Sequence, residues 1–147
     1  MRIVVLVGLP GSGKSTYLQR MGVRGLSSDM VRGLLADDET DQTIHERVFQ
    51  TVRYLLRQRI AIGRQVSYID ATNLRLEERR PYLDIGQQFG CDVEAVFFDV
   101  PLEVCRERNA GRDRVVPDDV MVAMVAKLVA PTVEEGFTQV TVVAQSE

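Results

Sequence analysis

Residues 8–15 read Gly8-Leu9-Pro10-Gly11-Ser12-Gly13-Lys14-Ser15 and satisfy the phosphate-binding pattern G-x-x-x-x-G-K-[ST] at every specified position. The flanks agree with it. Arg2-Ile3-Val4-Val5-Leu6-Val7 is apolar and β-branched, as a buried strand requires. Thr16 to Met21 can be helical, and Gly22 can end that helix. Strand, glycine loop and helix in this order suit an anion. Glycines let the backbone approach closely, and N–H groups at a helix start point at a phosphate. Lys14 adds a cation for the outer phosphates, and the Ser15 hydroxyl can hold Mg²⁺. The competing reading is an ordinary glycine turn that happens to contain Lys-Ser, and the flanks argue against it. The stretch predicts nucleoside triphosphate binding by residues 8–15 together with Thr16.

The bulk properties narrow the class. A chain of 147 residues is expected to form one domain over residues 1–147. With 45% hydrophobic and 27% charged residues it has the composition of a globular protein. No apolar run approaches the roughly 20 residues that span a bilayer. The N-terminal apolar run carries the glycine loop and lacks the layout of a targeting segment. Cys91 and Cys105 stand in no metal-like spacing and read as reduced thiols, so a cytoplasmic location is expected. His45 is the single histidine and reads as a helix-surface residue. A net charge of −3 argues against coating nucleic acid, but not against gripping a short end in a local basic pocket.

Strand candidates fall at residues 2–7, 24–27, 66–70, 93–98 and 138–143, separated by helical stretches. Alternation of this kind predicts an α/β fold with a mostly parallel sheet covered on both faces. Ligands then sit at the carboxyl ends of the strands, where the glycine loop falls. Helix starts are expected at the Thr43–Glu46 capping box and at Pro101 and Pro117 as first helical residues. Ile44, Val48, Val52, Leu55 and Leu56 form the expected buried stripe of the long helix that Gly63 can end. Arg53, Arg57 and Arg64 lie opposite, as a solvated face or the wall of a nucleic-acid channel. Arg75, Arg79 and Arg80 with Glu77 and Glu78 are expected on a mixed exposed face, in a helix closed by Gly90.

Two acids and one basic stretch stand at the edge where a ligand is expected. Asp29 follows the second strand, as an N-cap or as a catalytic carboxylate, with Arg32 as an i,i+3 partner. Asp70 ends the third strand, where an acid can sit near Mg²⁺. Arg106, Arg108, Arg112 and Arg114 form the densest basic run, with Gly111 among them. A mobile lid over about residues 108–116 that brings an arginine to the triphosphate is the reading preferred over an exposed basic loop. No guanine-reading Asn/Thr-Lys-x-Asp element is present, and the chain is small for a ring-forming motor. A compact phosphate-loop domain with a lid arginine suggests a kinase.

The chain resembles the 5′-kinase domain of polynucleotide kinases, of both the phage and the animal polynucleotide kinase-phosphatase types. The residues that carry the resemblance are the 8–16 loop, Asp29-x-x-Arg32, Asp70-Ala71-Thr72-Asn73-Leu74 with Glu78-Arg79-Arg80, and Phe98-Asp99-Val100-Pro101. Arg108-Asn109 through Arg112 to Val116-Pro117 and Ala130-Pro131-Thr132-x-x-Glu135-Gly136-Phe137 extend it over nearly the whole chain. Asp70 stands two residues before Thr72, as in the animal form, whereas the phage acid stands one before; the lid is one residue shorter than the phage lid.

The resemblance implies a P-loop fold of the nucleotide-kinase type, with five strands and a small lid. It implies Mg²⁺- and ATP-dependent transfer of the γ-phosphoryl group to a 5′-hydroxyl end of DNA or RNA, an end-healing step in nucleic acid repair. Asp29 would be the base on that hydroxyl, and Arg32 would contact the phosphate on the 3′ side of the acceptor nucleotide. Lys14, Ser15 and Arg112 would hold the triphosphate and transition state, Arg108 would lie against the adenine, and Ser15 with Asp70 would serve the metal. The same short architecture occurs in kinases of gluconate, nucleosides or antibiotics. A small-molecule kinase and a non-catalytic ATP-binding module therefore stand as the alternatives.

Overall fold

β1 (Arg2–Val7) is the hub of the molecule in the computed structural model, which describes residues 1–112 and 115–144. It pairs with β3 (Val66–Asp70) on one side and with β4 (Asp92–Asp99) on the other. The short β2 (Leu26–Ser27) joins outside β3, and β5 (Gln139–Ala144) outside β4. The order is β2-β3-β1-β4-β5, and every pairing is parallel rather than mostly so. The chain winds to one side of β1 and then to the other. The topological switch therefore lies at β1, whose carboxyl end runs straight into the glycine loop.

Among the described residues six α-helices cover the sheet: α1 (Lys14–Met21), α2 (Ser28–Ala36), α3 (His45–Ala61), α4 (Leu76–Phe89), α5 (Leu102–Ala110) and α6 (Asp118–Lys127). Alternation along β1 sorts the core. Ile3, Val5 and Val7 pack with Val48, Val52 and Leu56 of α3 and Tyr82 and Ile85 of α4. Val4 and Leu6 face the other way, onto Leu18 of α1 and Phe98 of β4. A third cluster, Leu9, Leu74, Cys105 and Met121, lies beneath the loop and ties it to α5 and α6.

Several local expectations are corrected. α3 begins at His45 with Ile44 as its cap, not with a Thr43–Glu46 capping box. Thr43 is engaged elsewhere, since its N–H and hydroxyl both donate to the Asp41 carboxylate. Leu55 is exposed, because the stripe follows Val48, Val52, Leu56 and Ile60 and leaves position 55 outside it. Pro101 and Pro117 stand at the cap rather than at the first helical position. The largest correction concerns Arg79, which is 0% exposed rather than on an exposed face. Its Nη1 donates to the carbonyls of Asn73, Leu74 and Val129, and its guanidinium also pairs with Glu135. These five bonds are what make a buried arginine tolerable. Gly22 and Gly90 do close α1 and α4, both in the left-handed conformation.

Candidate active site

The glycine loop emerges at the carboxyl edge of the sheet and is anchored from below. The Gly8 N–H donates to the Thr72 carbonyl (3.0 Å), and Asn73 Nδ2 donates to the Leu6 carbonyl (2.7 Å). Asn73 itself sits at φ 47°, a left-handed position that asparagine tolerates. Within the loop, Gly11 and Gly13 have φ values of 81° and 105°. A Cβ on Gly11 would lie 2.5 Å from the Cys105 carbonyl oxygen of α5. The residue must therefore be glycine for both conformation and space.

Lys14 curls back over the loop and donates to the carbonyls of Gly8 (2.7 Å) and Leu9 (2.8 Å). Burial lowers its pKa from 10.5 to about 8, with the Asp70 carboxylate opposing the shift and the Arg112 charge adding to it. Its side chain keeps some exposure to the cleft, so water there moderates the effect. Burial raises the pKa of Asp70; Lys14 and Arg112 pull it down and Asp29 pushes it up. Lys14, Asp29, Asp70 and Arg112 thus form one electrostatic unit.

These groups open onto a cleft of ≈ 920 Å³. The Ser27–Asp70 register of β2 and β3 brings the start of α2 beside the end of β3. Ser27, not Asp29, caps α2: its hydroxyl accepts from the Met30 N–H at 3.1 Å. Asp29 is thereby left in the first helical turn, its side chain 42% exposed at the cleft. Arg32 is the reverse case, with only 5% of its side chain exposed and Nη1 3.3 Å from Asp29 Oδ1. Among the described residues, its Nε is buried with no hydrogen-bond partner.

The basic run divides. Arg106 turns away and pairs with Asp118 through two bonds of 2.6 and 3.1 Å. Arg108 and Arg112 line the cleft, and an Arg108 nitrogen would stand 3.6 Å from a Cβ on Gly13. Arg114 lies outside the described residues. The segment between α5 and α6 is clamped by Asn109, which donates to the Val116 carbonyl (2.8 Å) and accepts from the Val116 N–H (3.1 Å). Sequence reasoning quoted Asn109 and Val116 without showing that they bond to each other. It read His45 as a helix-surface residue, which it is, and did not mark Phe49; both rings also line the cleft. Sequence alone does not show that the fold turns His45 and Phe49 towards the cleft.

The loop fits a nucleotide's phosphates. Its two left-handed glycines open the backbone, and the buried Ser12 hydroxyl oxygen has no partner among the described residues. The Ser15 hydroxyl and Asp70 carboxylate are the hard oxygen donors that Mg²⁺ takes. Among the described residues there is no cluster of three or more His, Cys, Asp or Glu side chains that could hold a metal ion. No helix of the described residues is long and apolar enough to cross a membrane.

The chain is similar to known proteins in sequence and in fold. Residues 3–131 match the family model described as AAA domain. The chain is 29% identical over 145 residues to the bifunctional polynucleotide phosphatase/kinase of Schizosaccharomyces pombe, covering 94% of this chain and 32% of that protein. It therefore spans about a third of that relative's length. In the solved Pnkp1/Rnl/Hen1 RNA repair complex, a chain superposes with a TM-score of 0.72 at 23% identity, over 86% of this chain and 43% of that one. The Mycobacterium tuberculosis APS kinase CysC, solved with AMPPNP and APS, superposes with a TM-score of 0.56 at 25% identity, over 75% of this chain and 69% of that one. With the full phosphate loop, the parallel sheet and the matched span together, the chain belongs to the AAA domain family, with a P-loop fold of the kinase type.

Proposed function

We propose that this protein is an ATP-dependent kinase that transfers the γ-phosphoryl group to a 5′-hydroxyl end of DNA or RNA. The observation that carries the reading is the pair of Arg32 and Asp29. A buried guanidinium stands 3.3 Å from a carboxylate that is open to the cleft. A cation so placed suits an acceptor that carries a phosphate next to its reacting hydroxyl. A sugar or sugar acid without phosphate would bring Arg32 no phosphate to bind.

In this reading Asp29 orients the 5′-hydroxyl and takes its proton as the oxygen attacks the γ-phosphorus. The bond from that phosphorus to the β–γ bridging oxygen breaks, and ADP leaves. Lys14 and Arg112 stabilise the charge that develops on the transferred group, and Arg108 supports the adenine side. Mg²⁺, held through the Ser15 hydroxyl and the Asp70 carboxylate, would neutralise the phosphate oxygens. The similarity to a polynucleotide phosphatase/kinase supports the acceptor class.

The similarity to an APS kinase favours a second reading, a small nucleotide acceptor used by the same machinery. Transfer of labelled γ-phosphate to a 5′-hydroxyl oligonucleotide, run beside Asp29→Ala, separates the two. Transfer that the substitution abolishes, with ATP binding kept, establishes the favoured reading. Failure on DNA and RNA ends alike, with transfer to a small nucleotide, establishes the second.

A further inference from the structure

His45 and Phe49 stand one helical turn apart at the start of α3, so their side chains share a face. Their ring centroids are 4.8 Å apart with the planes tilted by 47°. Both rings line the cleft. Phe49 rests on the core cluster beneath α3, while His45 is exposed. The pair therefore has a packed side and an open side. Arg32 adjoins it, with Nη2 3.5 Å from His45 Nδ1. An exposed histidine held between a packed phenylalanine and a buried arginine serves neither as a cap nor as a core residue.

We propose that His45 and Phe49 form a stacking platform for a nucleobase of the acceptor strand. This rests on the 5′-hydroxyl kinase reading and deepens it, because it states what the acceptor must carry besides a hydroxyl and a phosphate. Two adjacent rings tilted towards each other offer a base an aromatic face to stack on, and stacking is tolerant of base identity. The neighbouring guanidinium fixes the phosphate of the same strand, so base and phosphate are held by adjacent groups. A polyol acceptor has no planar group for such a surface. The platform thus selects nucleic acid ends and nucleotides by shape and leaves sequence unread.

The test compares 5′-hydroxyl oligonucleotides that carry either an intact base or an abasic site at the first or second nucleotide. Base–aromatic stacking amounts to about 1–3 kcal/mol per base, or roughly a 5- to 150-fold change. The acceptor KM of the wild-type protein should rise by that factor at one of the two positions, with the KM for ATP unmoved. In His45→Ala and Phe49→Leu the penalty should shrink towards unity. The leucine keeps an apolar side chain against the core, which guards against a variant that merely unfolds.

Quenching of 2-aminopurine placed at the sensitive nucleotide gives a second readout that needs no turnover, and it can be taken in Asp29→Ala. Quenching lost in His45→Ala supports the platform even if no transfer is found, in which case only the kinase reading falls. Transfer to 5′-hydroxyl ends with equal use of abasic and intact strands overturns the platform and leaves the kinase reading standing. Neither transfer nor quenching overturns both.

Discussion

Arg79 Nε lies 3.0 Å from Glu135 Oε1, and Arg79 Nη2 lies 2.9 Å from Glu135 Oε2, a two-pronged ion pair buried under the carboxyl edge of the sheet. The Glu135 carboxylate also accepts from the Thr132 N–H. The pair joins the 130–137 segment to α4. Through the Asn73 and Leu74 carbonyls it reaches the 71–74 segment, on which the glycine loop rests. It is a strut beneath the glycine loop.

Glu135→Ala should therefore be costly. Removing one partner leaves the other charge buried without compensation, at about 3–5 kcal/mol. Urea unfolding should show that loss. The double variant Arg79→Leu with Glu135→Leu should fall short of the sum of the two single variants, since the uncompensated charge is gone. An additive cycle would show that the two side chains do not act as a pair.

Gly11→Ala should abolish nucleotide binding. Alanine at φ 81° is strained, and its Cβ would meet the Cys105 carbonyl at 2.5 Å. The loop must then move off α5, and the left-handed conformation alone costs roughly 1–2 kcal/mol. Calorimetric titration with ATP and Mg²⁺ reads the lost affinity, and circular dichroism should show the sheet intact. Unchanged affinity would mean that the loop binds in a different shape.

Lys14 should impose a pH limit. Its folded pKa of about 8 lies below its ordinary value of 10.5. Below pH 8 it is charged in both folded and unfolded chains, and the folded form bears the cost of burying that charge. Between pH 8 and 10.5 the unfolded chain binds more protons, so this group adds stability as pH rises through that window. The effect on ligand is opposite in sign. ATP affinity should decline as pH climbs past 8 and the ammonium is lost. Lys14→Met should bind more weakly at pH 7 and lack this decline. Binding measured from pH 7 to 9.5 checks it, and parallel curves for the two proteins would assign the pH dependence to another group.

Asn109→Ala should loosen the segment that carries Arg112. It removes both bonds to Val116 and leaves the half-buried Val116 N–H and carbonyl without the Asn109 partner, at up to about 1–3 kcal/mol. Hydrogen exchange at the Val116 amide should accelerate strongly, while amides in β1 should hardly change. Equal acceleration in both would indicate global destabilisation instead of local release.

The sequence by itself determined the phosphate loop, the strand that feeds it and the class of the fold. Those follow from consecutive residues: a β-branched run, glycines at fixed offsets, and a lysine and serine that end the motif. The closing glycines of α1 and α4 were legible for the same reason, because a left-handed cap is a local requirement. Leu55 was misplaced by one step around a helix, which periodicity alone resolves poorly. Tertiary structure alone decided what the isolated polar residues do. Arg79 reads as a surface charge until Glu135, 56 residues on, and three carbonyls close around it. Asp29 became a cleft residue once Ser27 took the cap, and the packing of α3 beside α2 brought His45 to Arg32. A side chain's partner across the fold is set by how elements pack, and that is written in no single stretch of the chain.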